Sequence, residues 1–471
     1  MRLAVSKFLL PINLVTLIVV LIITLLMYHR STNPSGASDF VTRSDAQLML
    51  DGKPFRFFGA NIYWLGLDEN VGGVAYPTHF RIDDVLAAAQ AMGITVVRAH
   101  TLGTSQGCQL CVEPALGKFN ETAFQHIDYA IKSAHEHGIR LIIPLTDNWN
   151  YYHGGKHTFT SWRGLTDEDQ FYTNATVIND FEQYISHLLN HVNSYTGLAY
   201  KDDPTILAWE TGNEINPPVS WTSTIADYLK KLDPQHLVLD GTKGVNVRNL
   251  ALSSVDIYSN HYYPMSVAAL NSDASTVKDG HKVFIVGEYN WTGRGGGDKL
   301  NSFLAGVEAS TAAGDMFWSL FGHNDAYGYV KHLDGYTVHY PGDTPDMRAS
   351  IQLFRTHAYR MRRSALPALS VPGTAQITSV GNHQLTWRGT ALADTYTIER
   401  SSNGVDGPWT VICDRCATDN DTPWIDKTMP AGKVFYRIKA YNLTGQAGDY
   451  SPVAETPSTT LKRPASGNTV S

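Results

Sequence analysis

The run Ile206 to Asn216, Ile-Leu-Ala-Trp-Glu-Thr-Gly-Asn-Glu-Ile-Asn, starts as a β-prone apolar stretch and breaks off at Gly212, Asn213 and Glu214. An apolar run that does not alternate is buried on both faces, as the strands of parallel sheets are. Polar groups at the carboxyl end of such a strand stand where α/β barrels keep their chemistry. A second run, Val283 to Trp291, carries four apolar residues straight into Gly287 and Glu288. Two glutamates therefore end two buried strands, 74 residues apart (288 minus 214), enough chain for three β/α repeats. Taken alone, Glu214 also reads as a loop or N-cap acid; the recurrence of the pattern is what points to chemistry.

The same alternation runs through most of the chain. Strand-like segments fall at residues 55–64, 95–100, 140–147, 206–210, 237–241, 256–263, 283–288 and 315–320. Helical spacing appears at 82–92, 124–137, 179–195, 223–232, 302–312 and 346–361, with Gly138 placed to end the second of these. Residues 151–162 read as a loop rich in aromatics, Gly and His. The pattern predicts an α/β fold, a (β/α)8 TIM barrel over residues 45–362. A doubly wound open sheet is the rival, and its usual glycine-rich first turn is missing. From Pro367 the pattern changes to short alternating strands at 384–387, 395–399 and 434–441, which predicts a small all-β sandwich over 367–455. Residues 456–471 read as a disordered tail.

Three further strand-end residues join the glutamates. Arg98 ends the second strand, and His261 and Tyr263 end the sixth. Glu210, four residues before Glu214, faces the same side of its strand but deeper, and reads as a buried structural acid; Asp147 and Asp240 also lie at strand ends. Hydrolysis of a glycoside with retention of configuration needs one protonated carboxyl and one ionised carboxylate about 5–5.5 Å apart, and Glu214 with Glu288 supplies such a pair.

The combination Asn213-Glu214, His261-Tyr262-Tyr263 and Gly287-Glu288 resembles glycoside hydrolase family 5, over roughly residues 45–362. The resemblance implies Glu214 as acid/base and Glu288 as nucleophile. It implies Arg98 and Tyr263 as hydrogen-bond partners of Glu288, Asn213 as a contact to the sugar 2-hydroxyl, His261 in the same subsite and Trp318 as a stacking platform. The stretch Asp147-Asn148-Trp149-Asn150, followed by Gly154-Gly155-Lys156 and Trp162, is similar to the third-strand loop of endo-β-1,4-mannanases in this family, which adds Trp149 to the substrate contacts. Plant and fungal mannanases usually place Pro-Arg after the acid, whereas Ile215 and Asn216 stand here, so a β-glucan substrate or exo action stays open. The short strands near Trp387, Ile398 and Tyr436 resemble a fibronectin type III module. Since every site residue precedes residue 320, the barrel is expected to work without that module. No metal or cofactor is expected. A non-catalytic sugar-binding or adhesion protein is the alternative of another class.

Charge and targeting signals fit this picture. With 37 basic and 44 acidic residues the net charge is -7, and no like-charge block argues for nucleic acid. A neutral polysaccharide or oligosaccharide is the expected partner, and a monomer the expected state. Residues 8–28 are an apolar run of spanning length flanked by Arg2, Lys7, His29 and Arg30, read as an uncleaved signal anchor within residues 1–30, followed by a linker at 31–44. The protein is then a single-pass type II membrane protein; cleavage near Ala37 and secretion is the alternative. Five sequons, at Asn120, Asn174, Asn290, Asn420 and Asn442, suit that compartment, with Asn290 expected to stay unmodified beside Glu288. The pairs Cys108/Cys111 and Cys413/Cys416 read as local disulfides in an oxidising compartment, with a zinc site as the rival.

Overall fold

A computed structural model describes residues 39–457. Eight strands close into a parallel barrel: β1 (Phe57–Asn61), β2 (Val96–Arg98), β3 (Arg140–Pro144), β4 (Ile206–Glu210), β5 (Leu237–Asp240), β6 (Ile257–Tyr262), β7 (Val283–Tyr289) and β8 (Gly314–Phe317). Each pairs in parallel with the next, and β8 pairs with β1. The fold is the expected (β/α)8 barrel.

Every barrel strand is apolar enough to be buried on both faces because it meets two cores. One cluster takes Phe57, Val96, Ile142, Leu207, Leu239, Ile257, Ile285 and Met316, one residue from each strand. The other packs the outer faces against helices α1 (His79–Met92), α2 (Glu121–Glu136), α3 (Ala175–Asn190), α4 (Val219–Leu232), α5 (Val267–Asp279), α6 (Leu300–Ala309) and α7 (Pro345–Met361). Helix α2 ends as expected, with Gly138 in the left-handed region at φ 68°.

The structure corrects several expectations. The linker of residues 31–44 does not run free to its end: Thr42–Ser44 pairs with Gln47–Leu50, and Val41 and Leu48 join the inner barrel core. Two apolar side chains in a short hairpin find more burial plugging the barrel floor than in solvent. Helix α3 begins at Ala175, capped by the Asn174 side chain, and ends at Asn190, five residues short of the expected end. Residues 151–162 are not all loop, since Lys156–Trp162 is a short helix that buries Phe159. Helix α5 went unnoticed because its sequence, Val-Ala-Ala-Leu-Asn-Ser-Asp-Ala-Ser-Thr-Val-Lys-Asp, buries only Leu270, Ala274 and Val277. Thr456, placed in the tail, is buried; its backbone N–H donates to the Val434 carbonyl at 3.0 Å, and its hydroxyl accepts from the Val434 N–H at 3.1 Å.

Beyond α7 two antiparallel sheets enclose a third core of Leu385, Trp387, Tyr396, Ile398, Tyr436 and Ile438. One sheet holds Gln376–Gly381, Gln384–Arg388 and Trp424–Ile425; the other holds Thr410–Ala417, Thr395–Ser401, Phe435–Tyr441, Ala447–Tyr450 and Ala454–Glu455. Both cysteine pairs form disulfides, Cys108–Cys111 and Cys413–Cys416. The proposed anchor at residues 8–28 lies outside the described residues, and among those residues no helix is long and apolar enough to cross a membrane.

Among the sequons, Asn120 and Asn174 cap α2 and α3. Asn290 and Asn442 are buried, and the Asn290 amide donates to the Arg294 carbonyl.

Candidate active site

The carboxyl ends of the barrel strands converge on Arg98, a guanidinium that is 1% exposed. Arginine carries five donors in a fixed fork, and here each has an acceptor. Nε and one Nη2 proton grip Glu210 at 2.6 and 2.8 Å, and Nη2 also reaches Asn213 Oδ1 at 2.9 Å. Nη1 donates to Glu288 Oε1 at 2.8 Å and Asn61 Oδ1 at 3.1 Å, with His100 Nε2 3.2 Å away. Burial works against the Arg98 charge, but Glu210 and Glu288 outweigh it and hold the group above its ordinary value. Glu210 is thus the deep structural partner that its position on β4 suggested.

Glu288 sits near the end of β7, where the register against β6 shifts between Val286 and Glu288. That irregularity sets Glu288 opposite His261. Gly287 makes it possible: a Cβ there would fall 2.8 Å from His261 Nε2. Arg98 holds one Glu288 oxygen, and the Tyr263 hydroxyl donates to the other at 3.0 Å.

Glu214 lies four residues beyond β4 with its backbone in the left-handed region at φ 49°, an unusual setting for a residue with a Cβ and one that functional sites favour. Just below it the strands approach so closely that a Cβ on Gly241 would lie 1.7 Å from the Gly212 carbonyl oxygen. His261 Nδ1 is 2.7 Å from Glu214 Oε1, Trp149 Nε1 donates to Oε2 at 3.0 Å, and Lys243 Nζ stands 3.5 Å from the same oxygen. Burial pushes the Glu214 carboxyl upward, but His261, Trp149 and Lys243 together hold it down to about 2.

Ligand atoms of Glu214, His261 and Glu288 lie within 4.8 Å of one another, the one group with metal-ligand spacing among the described residues. Their oxygens are already taken by Arg98, Tyr263, His261 and Trp149, a donor set that suits two carboxylates at work better than a bound cation.

Glu214, Glu288, Asn213, Trp149 and Tyr263 line a cleft of about 340 Å³ together with Trp318, Tyr63, His100 and Asp147. Trp318 does not stand alone as a platform: Tyr63 stacks against it at 5.2 Å and 9°, and its Nε1 donates to Asp334 at 2.6 Å. All eight expected residues, Arg98, Trp149, Asn213, Glu214, His261, Tyr263, Glu288 and Trp318, meet at this cleft or its floor.

Others were missed. Asp147 accepts from the Asn213 amide at 3.2 Å and from the Trp149 backbone at 2.8 Å, so it orients two site residues at once. Its burial pushes its carboxyl well above the ordinary range. Its place at the end of the third strand was the available signal. His332, Asp334 and Tyr336 line the cleft from the connection after β8, where the sequence offers no periodic cue.

Comparison with known proteins finds relatives of one kind. Residues 38–264 match the model of the glycoside hydrolase family 5 beta-mannosidase-like group. A mannan endo-1,4-beta-mannosidase 3 of Arabidopsis thaliana is 34% identical over 224 residues, 45% of this chain and 52% of that protein. A mannan endo-1,4-beta-mannosidase 1 of Solanum lycopersicum is 28% identical over 365 residues, 65% of this chain and 89% of that protein. The chain spans only about half the length of most of the plant relatives it matches at 32–34% identity. Among solved structures, the Rhizomucor miehei endo-1,4-beta-mannanase is 28% identical with a TM-score of 0.57, over 69% of this chain and all of that one. The Thermotoga petrophila RKU-1 endo-1,4-beta-D-mannanase is 26% identical with a TM-score of 0.56, over 64% of this chain and all of that one. With its closed barrel and paired strand-end glutamates, the chain is similar to the family 5 beta-mannosidase-like glycoside hydrolases.

Proposed function

We propose that the protein is a retaining glycoside hydrolase that cleaves β-1,4-mannosidic linkages in mannan-type polysaccharides. The observation that carries this reading is the approach of the Glu214 and Glu288 carboxylates, each offering an oxygen within 4.8 Å of the other. Inverting enzymes hold theirs about 6.5–9.5 Å apart to admit a water between them.

In the first step a Glu288 oxygen attacks the anomeric carbon while the leaving glycosidic oxygen takes a proton from Glu214. In the second, Glu214 accepts a proton from water, which attacks the same carbon and releases Glu288. Held down to about 2 in the open cleft, Glu214 is ionised there, the form that the second step needs. For the first, a bound glycan expels water from two carboxylates that lie close together, and like charges so placed drive one to take a proton. Asn213, fixed between Arg98 and Asp147, presents its amide to the sugar ring. Trp149 and Trp318 offer aromatic faces. The mannan preference rests on the relatives named above and on the Trp149 loop. The carboxyl-terminal sheets we read as a fibronectin type III-like module.

The test is hydrolysis of purified mannan, galactomannan, glucomannan and β-glucan, with the anomer of the first product followed by NMR. Release of β-configured product from the mannans is expected. Release of the α-anomer overturns the retaining mechanism, faster cleavage of β-glucan overturns the substrate class, and binding without turnover returns the sugar-binding alternative.

A further inference from the structure

Between β8 and α7 the chain makes a long excursion, residues 318–344. Its distal part reaches the cleft. Asp334 accepts from Trp318, His332 meets Tyr63 at 3.1 Å and Asn70 at 2.9 Å, and Tyr336 packs edge-on against Tyr263 at 5.7 Å.

The near part of the excursion is held from outside the barrel. His323, 2% exposed, stands between two carboxylates, with Nδ1 2.9 Å from Asp84 of α1 and Nε2 3.1 Å from Asp419, in the short turn Asp419–Asp421 that links the two carboxyl-terminal sheets. Asp419 in turn accepts from Trp387 Nε1 at 3.1 Å and from the Tyr396 hydroxyl at 2.9 Å, two core residues of those sheets. The approach is close: a Cβ on Gly389 would fall 2.4 Å from the His323 ring. Two further bonds cross the same seam, Thr378 Oγ1 to the Ala326 carbonyl at 2.8 Å and Asn420 Nδ2 to the Asp343 carbonyl at 3.3 Å. Burial opposes a charge on His323, but Asp84 and Asp419 outweigh it and push the group up to about 10, so the contact is an ion triad at neutral pH.

We propose that Asp419 is a positioning residue for the cleft: through His323 the carboxyl-terminal sheets fix the excursion after β8 and so hold Asp334 and Tyr336 against Trp318 and Tyr263. The sheets then complete the site from behind, contrary to the expectation that the barrel works without them. The inference rests on the hydrolase reading for its kinetic consequence, though the clamp itself is a matter of packing alone.

The test compares full-length wild type with Asp419→Asn, Thr378→Val and, as a control at a surface ion pair of the same sheets, Lys433→Ala. Backbone hydrogen exchange over residues 324–336 is read without substrate, and kcat and KM are read on soluble β-mannan. Asp419→Asn is expected to speed exchange across 324–336 and to raise KM about fivefold, the worth of one ordinary hydrogen bond, with kcat changed less. Thr378→Val, at an exposed position, is expected to change both in the same direction by a smaller factor, and Lys433→Ala neither. Unchanged exchange and KM in Asp419→Asn overturn the proposal, as does a fall in kcat with exchange unaltered. If Asp419→Asn does not fold, unchanged exchange and KM in Thr378→Val overturn it. A wild type inert on every β-mannan sinks the hydrolase reading, while the exchange comparison still decides the clamp.

Discussion

Two of the buried cations, each set between a pair of carboxylates, are built on opposite principles. Arg98 lies at the barrel mouth between Glu210 and Glu288, and all three come from barrel strands. His323 lies at the barrel flank between Asp84 and Asp419, which come from a helix and from a short turn between the carboxyl-terminal sheets. Arginine keeps its charge at any pH a protein meets, so the first cluster holds the Glu288 carboxylate in one place whatever the pH. Histidine holds its proton only while its neighbours compel it, so the second is a joint whose strength depends on pH. A permanent cation serves the chemistry, and a conditional one serves the connection between parts.

The sharpest break in this comparison is at the anionic end of the first cluster. Glu288→Ala is expected to lower hydrolysis on the order of ten-thousandfold, since it deletes the proposed nucleophile, while Arg98 keeps its bidentate hold on Glu210 and the fold survives. Added azide should restore turnover with inverted product. Activity above about a hundredth of wild type on an aryl glycoside sinks the assignment.

Removing the cation itself should strike stability as well. Arg98→Met leaves Glu210 buried with no partner charge, and breaking a buried pair in this way costs about 3–5 kcal/mol. Urea unfolding measures it, and a variant as stable as wild type shows that the strand-end cluster does not support the barrel.

The smallest effect separates the two clusters by pH. His323 is pushed up to about 10 from an ordinary value of 6.5, so its contribution is complete below pH 6.5 and is lost as pH rises through 10. Tyr329 and Tyr396 also border this group, and neither titrates below that range, because burial pushes both well upward. From pH 6.5 to 8 the fall amounts to about 1–2 kcal/mol, seen as a declining melting temperature. His357, pushed up to about 9 between Asp315 and Glu308, adds a parallel slope. His323→Asn should flatten the decline in part. An unchanged slope in His323→Asn places the proton elsewhere.

Much of the site was legible because barrel chemistry announces itself locally. Glu288 and Arg98 each end an apolar strand, and Glu214 follows another within four residues. Asp147 was legible in position but not in role, since its acceptors serve Asn213 and Trp149 across a β3–β4 contact that no single segment reveals. The amino-terminal plug was read as linker because a few apolar residues in a polar stretch declare no core. Helix α5 was passed over because its apolar face is only three residues wide.

What the sequence determined by itself was the alternation of buried strands and helices, the change to short alternating strands after residue 367, and the placing of two glutamates at strand ends. These follow from burial, which each segment signals in its own period. Only the tertiary structure decided which atoms meet: Arg98 with Glu288, 190 residues apart, and His323 with Asp84, 239 residues apart, and Asp419, 96 residues apart. Apolar burial is nondirectional and tolerates many arrangements, whereas a hydrogen bond holds only within a few tenths of an ångström and a narrow range of angles. Those partners are fixed when the barrel closes and the sheets dock on its flank, and no segment read alone contains that information.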